Sequence, residues 1–342
     1  MKLSVYSRAL KHFSRLAIGV LTLSSISISP SAQAIETSVR IAMVYDLGGL
    51  GDGGVNDSAA LGTKYVRQKF GLSPFDLREV VTVGSETDRL ERLTFLAKAG
   101  YNLVIAVGKN WSAAMALAAT NYPESQFAII GGSATDQVNV SVMKFSTKEE
   151  SFLAGVLAAA SSTSKKIGYI APSSDYESED GQSAFIAGAK YGNPKVKVSG
   201  SILESGASLQ VKNMAAGGVD VIYSRWAQNA DVYSTILALS KKKKIKMIGN
   251  QPDQYFLSSA VAQKILLASV VEDYGLPVKQ LVAAALDGQT ILDIVDAQRG
   301  IYGYLYTSKN GGISLKNYSA SSSALTRYSM AKSALSNGRI KL

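Results

Sequence analysis

The sequence contains no cysteine and a single histidine, His12, in 342 residues. Without cysteine no disulfide forms, and a lipid anchor on an N-terminal cysteine is not expected. The histidine lies inside a segment that reads as a leader. Lys2, Arg8, Lys11 and Arg15, with no acid among them, precede an apolar run from Leu16 to Ile28, and Ser31-Ala32-Gln33-Ala34 follows. This is the pattern of a secretory signal peptide cut after Ala34. The chain beyond Ala34 then has neither residue, which excludes zinc sites built on Cys or His, Ser-His and Cys-His nucleophilic sites, and haem held by His. No later segment reaches the 18 uninterrupted apolar residues of a membrane helix. The inventory favours binding over chemistry, and no metal or cofactor is expected.

The formal charge of +10 falls to +6 once the four leader cations are removed. The densest basic cluster, Lys241 to Lys244 with Lys246, ends a helical pattern and runs into an apolar strand. Cations are favoured at a helix C-terminus, so this is read as a solvated helix end, and no nucleic-acid partner is expected.

What is present is a repeated grammar of short β-branched runs alternating with helical patterns, the mark of parallel sheets with crossover helices. Strands are expected at Val39–Tyr45, Leu77–Val83, Leu103–Val107 and Phe127–Gly131, then again at Lys166–Ala171, Val196–Ser201, Val219–Tyr223 and Ile245–Gly249. Ser85 with Asp88, and Thr147 with Glu150, read as helix N-caps. Ile265–Val271, a helix near Leu276–Leu286 and the aromatic run Tyr302–Tyr306 read as segments crossing back between two lobes, and Ser323–Ser336 as a closing helix. The expected division is a leader to residue 34, a first lobe over 35–145 with about 270–300, and a second over 146–269 with about 301–342. Two open α/β sheets joined by several crossings make a hinge, and ligands of such folds sit at the carboxyl ends of the strands.

The two tryptophans fall at matching places, Trp111 after the third strand of the first half and Trp226 after the third strand of the second. Two rings facing across a closing cleft would sandwich a flat ligand; each could equally pack its own helix on its sheet. The expectation carried forward is the stack. After the first strand, Asp46-Leu-Gly-Gly-Leu-Gly-Asp52-Gly-Gly-Val-Asn56-Asp57-Ser58 contains a literal G-x-G-x-x-G, yet Asp46 and Asp52 would oppose a pyrophosphate. The loop reads instead as a cleft wall offering hydrogen-bond groups.

Several segments together resemble the basic membrane protein (PnrA-like) family: Asp46–Ser58, Leu103–Gly108, Tyr122-Pro-Glu-Ser-Gln-Phe127, Lys148-Glu-Glu-Ser-Phe-Leu-Ala-Gly155, Ala187-Gly-Ala-Lys-Tyr191-Gly-Asn-Pro194 and Gly249–Gln254. The resemblance implies a type I periplasmic binding protein fold and an exported receptor that hands a ligand, in several members a purine nucleoside, to an ABC transporter permease. It implies ligand contacts at Asp46 and Asn56. Departures from the family pattern fall at Val55, where an aromatic stacks on the base, at Ala113 and Gln251, where carboxylates stand, and at Glu272, where a lysine is expected. The expected ligand-binding set is Asp46, Asn56, Asn110, Trp111, Arg225, Trp226, Gln251 and Asp253, in a periplasmic protein. The competing readings are a nucleoside hydrolase using Asp46, Asp52 and Asp57, and a receptor docking a membrane sensor for some other ligand.

Overall fold

The computed structural model describes residues 39–133, 135–175, 177–226, 230–250, 262–290, 295–296 and 301–342. The leader and the expected contacts Gln251 and Asp253 lie outside the described residues.

The first half begins β1 (Ile41–Tyr45), α1 (Val55–Phe70), β2 (Leu77–Val81), α2 (Glu86–Lys98), β3 (Leu103–Val107), α3 (Ser112–Asn121), β4 (Gln126–Ile130) and β5 (Val140–Phe145). Every residue of β1 and β3 is buried, as expected of parallel strands covered on both faces. The second half repeats the order with α4 (Thr147–Ser161), β6 (Lys166–Pro172), α5 (Ser178–Gly192), β7 (Lys197–Leu203), α6 (Ala207–Ala216), β8 (Val221–Ser224), α7 (Ala230–Ser240), β9 (Lys246–Asn250) and β10 (Leu266–Glu272). The chain then continues through α8 (Gly275–Leu286), β11 (Val295–Asp296), β12 (Ile301–Tyr306), β13 (Ile313–Asn317) and α9 (Ser322–Ser336).

One sheet runs β11-β12-β5-β4-β3-β1-β2 and the other β13-β10-β9-β8-β6-β7. The cores of both follow the doubly wound order 2-1-3-4-5, with antiparallel strands β11 and β13 at one edge of each. The architecture is the type I periplasmic binding protein fold. Among the described residues the chain crosses between sheets at Ser146, after Glu272 and after Tyr306. Because β12 pairs in parallel with β5, the aromatic run belongs to the first sheet, and the last crossing comes after Tyr306 rather than near residue 301. The crossings are tied together: Ser146 N–H donates to the Tyr306 carbonyl at 2.9 Å, and Asp273 N–H to the Gly312 carbonyl at 2.9 Å.

Three strands escape the sequence reading, β5, β13 and the two-residue β11. β5 carries Ser141 and Lys144 among its apolar residues, yet Ser141 is fully buried. β13 is a short edge strand alternating apolar and polar residues. The second lobe owes its tight helix pair to glycine: a Cβ on Gly188 would stand 1.9 Å from the Phe152 carbonyl oxygen, and one on Gly155 2.2 Å from that of Phe185. The two glycines of the α4 and α5 motifs are therefore a packing device that lets the helix backbones touch. The lysines after α7 are exposed, as a solvated helix end requires.

Candidate functional site

Between the sheets, at the carboxyl ends of β1, β3, β5, β6, β8, β9 and β10, lies a cleft of about 420 Å³. Both lobes supply its walls, and Lys109 of the first lobe donates across it from Nζ to the Ser174 carbonyl at 2.9 Å.

The floor of the first wall is Asp46, at the end of β1. Arg89 of α2 approaches from behind and donates to Asp46 Oδ1 from Nη2 at 2.7 Å and from Nε at 3.2 Å. Asn110 donates from Nδ2 to Oδ2 at 2.6 Å. Asn56 is buried and clasps the Asp46 backbone, its Oδ1 accepting from Asp46 N–H at 3.2 Å and its Nδ2 donating to the carbonyl at 3.3 Å. Asp46, Asn56 and Asn110 therefore converge on one spot of the cleft lining.

The glycine loop owes its shape to backbone that favours glycine: φ is +100° at Gly48, +54° at Gly49, +90° at Gly51 and +57° at Gly53. Its carboxylates brace it. Asp57 accepts from the N–H groups of Gly51 and Gly53 at 2.7 and 2.8 Å, and Asp52 from that of Gly54 at 2.6 Å. These acids occupy the N-terminus of α1, where a dinucleotide's pyrophosphate would have to sit.

The matching tryptophans part company. Trp111 closes a 3-10 turn, Lys109–Trp111, that swings its ring under α2 and α3 into the core with Leu93, Leu96 and Met115. It is 0% exposed and absent from the cleft lining, so the expected stack of Trp111 on a ligand is not available; the ring instead packs its helix on the sheet. Trp226, two residues past β8, is half-buried on the cleft wall.

Arg225, expected to offer its fork to a ligand, spends it on protein. Nη1 donates to Glu150 Oε2 at 2.5 Å and Nη2 to Asp175 Oδ2 at 2.9 Å. Thr147 sits beside it and donates to Glu177 Oε2 at 2.7 Å. This network follows from a one-residue shift in the expected cap. Ser146, not Thr147, caps α4 by accepting from Glu149 N–H at 3.3 Å, which turns the Glu150 carboxyl inward instead of back over the helix start. Burial pushes the Glu150 carboxyl above its ordinary value, and the Arg225 guanidinium opposes that rise. Burial also raises the Tyr274 phenol, helped by nearby Glu272.

Sequence reasoning missed the aromatic pair Phe145 and Tyr274, stacked at 4.8 Å with their planes 23° apart, and the lining residues Lys144, Asp175 and Glu177. Phe145 and Lys144 were hidden with β5. Asp175 and Glu177 stood in view beside the acidic start of α5, with nothing local to turn them toward a cleft. Among the described residues no group of three or more His, Cys, Asp or Glu is placed to hold a metal ion, and no helix is long and apolar enough to cross a membrane.

The family model described as ABC transporter substrate-binding protein PnrA-like matches residues 39–327. The chain belongs to this family of ABC transporter substrate-binding proteins. It is 26% identical over 353 aligned positions to the ABC transporter nucleoside-binding protein BmpA of Lactococcus lactis subsp. cremoris, covering 95% of this chain and 97% of that one. It is 28% identical over 256 to basic membrane protein A1 of Borrelia garinii subsp. bavariensis, covering 71% of each. An ABC transporter solute-binding protein structure from Aeropyrum pernix K1 shares the fold, with a TM-score of 0.71 at 18% identity over 89% of this chain and 92% of that one.

Proposed function

We propose that this substrate-binding protein is exported, loses its leader after Ala34 and captures a small ring-containing metabolite, a purine nucleoside or related compound, by closing its lobes. It then presents the ligand to an ABC-type permease from the periplasm. With no cysteine in the sequence, no lipid anchor is proposed.

The observation that carries this reading is the cleft itself, built from strand ends of both lobes and combining ring faces with amide and carboxylate edges. Its volume falls within the usual range for small-metabolite pockets. Trp226 offers a stacking face, with Phe145 and Tyr274 behind. Asp46, Asn56 and Asn110 offer hydrogen-bond groups to hydroxyls or ring nitrogens, and Gln251 and Asp253 remain candidates from the sequence. Arg225 holds the second wall in shape rather than the ligand. Closure is supported by the Lys109 bond to the Ser174 carbonyl, which exists only while the two walls stand close. The nucleoside-binding name of the Lactococcus relative supports the ligand class. No catalytic role is proposed, because Asp52 and Asp57 are committed to loop N–H groups and Asp46 to Arg89.

A thermal-shift panel of purine and pyrimidine nucleosides, free bases, pentoses, hexoses and polyamines tests this. A ligand at a hundred times its dissociation constant adds about 2.7 kcal/mol, so a purine nucleoside is expected to raise the Tm by several degrees. A shift with sugars or polyamines alone would discard the nucleoside.

A further inference from the structure

The cleft runs against the charge of the molecule. The chain beyond Ala34 is basic, at +6 once the four leader cations are taken from +10, yet the lining holds five carboxylates, Asp46, Asp52, Asp175, Glu177 and Glu272, against three cations, Lys109, Lys144 and Arg225. Counting the ion-pair partners that stand behind the walls, Glu150 on Arg225 and Arg89 on Asp46, adds one charge of each sign, so the lining's negative surplus stands. Glu272 is 1% exposed, so its charge acts through poorly polarisable surroundings, where fields are screened least. The same lining carries Phe145, Trp226 and Tyr274, whose ring faces also present negative potential. Carboxylates and aromatic faces gathered in one enclosed space are the chemistry that recognises cations and repels phosphate.

We infer that this cleft selects by charge: it admits uncharged or cationic ring compounds and rejects their phosphorylated or otherwise anionic forms, with Glu272 and Glu177 as specificity-determining residues. The inference rests on the reading of this cleft as the binding site. It leaves open which neutral ring is held, and adds that a phosphate on that ring costs it entry. A cleft focuses the field of the charges that line it, so the wall overrides the basic exterior at the point where the ligand sits.

The protein contains its own reporter. Trp111 is fully buried and out of reach of ionic quenchers, whereas Trp226 lies on the cleft wall. Collisional quenching by caesium and by iodide is measured at constant ionic strength on wild type and on Trp226→Phe, and the difference isolates the Trp226 signal. Normalised to free N-acetyltryptophanamide, caesium is expected to quench Trp226 at least about threefold better than iodide, as a negative potential on the order of kT requires. Glu272→Gln and Glu177→Gln are each expected to shrink that ratio. Equal quenching, or stronger quenching by iodide, overturns the inference whatever the ligand proves to be. A parallel titration compares adenosine, its 5′-monophosphate and 5′-amino-5′-deoxyadenosine. Loss of the monophosphate with retention of the amine agrees with the inference, and monophosphate binding as tight as adenosine overturns it. If no purine nucleoside binds, the proposed ligand fails and the quenching ratio decides the charge selection by itself.

Discussion

The two walls of the cleft solve one problem with opposite charges. In the first lobe a carboxylate, Asp46, faces the cleft and an arginine, Arg89, steadies it from behind; both are largely buried, at 13% and 7% side-chain exposure. In the second lobe an arginine, Arg225, faces the cleft and the carboxylates Glu150 and Asp175 steady it. The tryptophans diverge in parallel, Trp111 holding the first lobe's core and Trp226 left to the cleft. Duplicated architecture therefore does not imply duplicated roles. What differs is the local turn: Trp111 closes a 3-10 turn directly after β3 and is carried into the core, whereas Trp226, two residues past β8, stays on the cleft wall.

The largest effect should separate the two arginines. Arg225→Met strands Glu150, which is 0% exposed, so unfolding in urea is expected to show a loss of about 3–5 kcal/mol, the usual cost of breaking a buried pair. Arg89→Met leaves a carboxylate that still has Asn110 and reaches water, and about 2 kcal/mol is expected. Equal losses would erase the distinction between the walls. The tryptophans give the next contrast: Trp111→Ala is expected to cost about 3–5 kcal/mol through the cavity it leaves, and Trp226→Ala about 1 kcal/mol or less.

A smaller effect concerns closure. Lys109→Met removes the bond to the Ser174 carbonyl, and stopped-flow release of a bound ligand should accelerate by roughly five- to tenfold. Unchanged release would mean that the bond does nothing to hold the lobes shut. The smallest effect is a pH dependence at the start of α2. Arg92, assisted by Thr82 and the Val83 N–H, holds the Asp88 carboxyl well below the usual carboxylate range. A depressed acid contributes stability above its unfolded pKa and loses it as pH falls through the folded one. Asp88→Asn should therefore be less stable than wild type at pH 6, and the gap should close as the pH is lowered below about 4. A gap constant with pH would show that the carboxylate's charge is not what stabilises the N-terminus of α2.

Most of the sheet architecture was legible because buried parallel strands such as Leu103–Val107 are uninterrupted apolar runs, and the helices between them keep a 3.6-residue stripe. β5 was not, since its serine and lysine break the run and only the assembled sheet buries Ser141. Three lining residues of the candidate cleft could be read in sequence, Asp46 at the end of β1, Asn56 at the start of α1 and Asn110 just after β3, because such folds collect ligands beyond their strand ends. On the second wall Arg225 and Trp226 could be read, but the carboxylates around Arg225 were hidden. Glu150 looks like a helix cap in sequence, and only a one-residue shift to Ser146 frees it to reach Arg225. Trp111 misled for the same reason: whether a ring turns inward depends on the first turn after the strand, which chain symmetry does not specify.

The most direct test of the account is a calorimetric titration of a purine nucleoside into wild type and into Trp226→Ala, with the melting temperature of each recorded alongside. One-to-one binding by wild type, lost in a variant that melts within a few degrees of it, is the predicted result. Equal binding by both proteins would contradict the placement of the ligand against the second lobe's tryptophan.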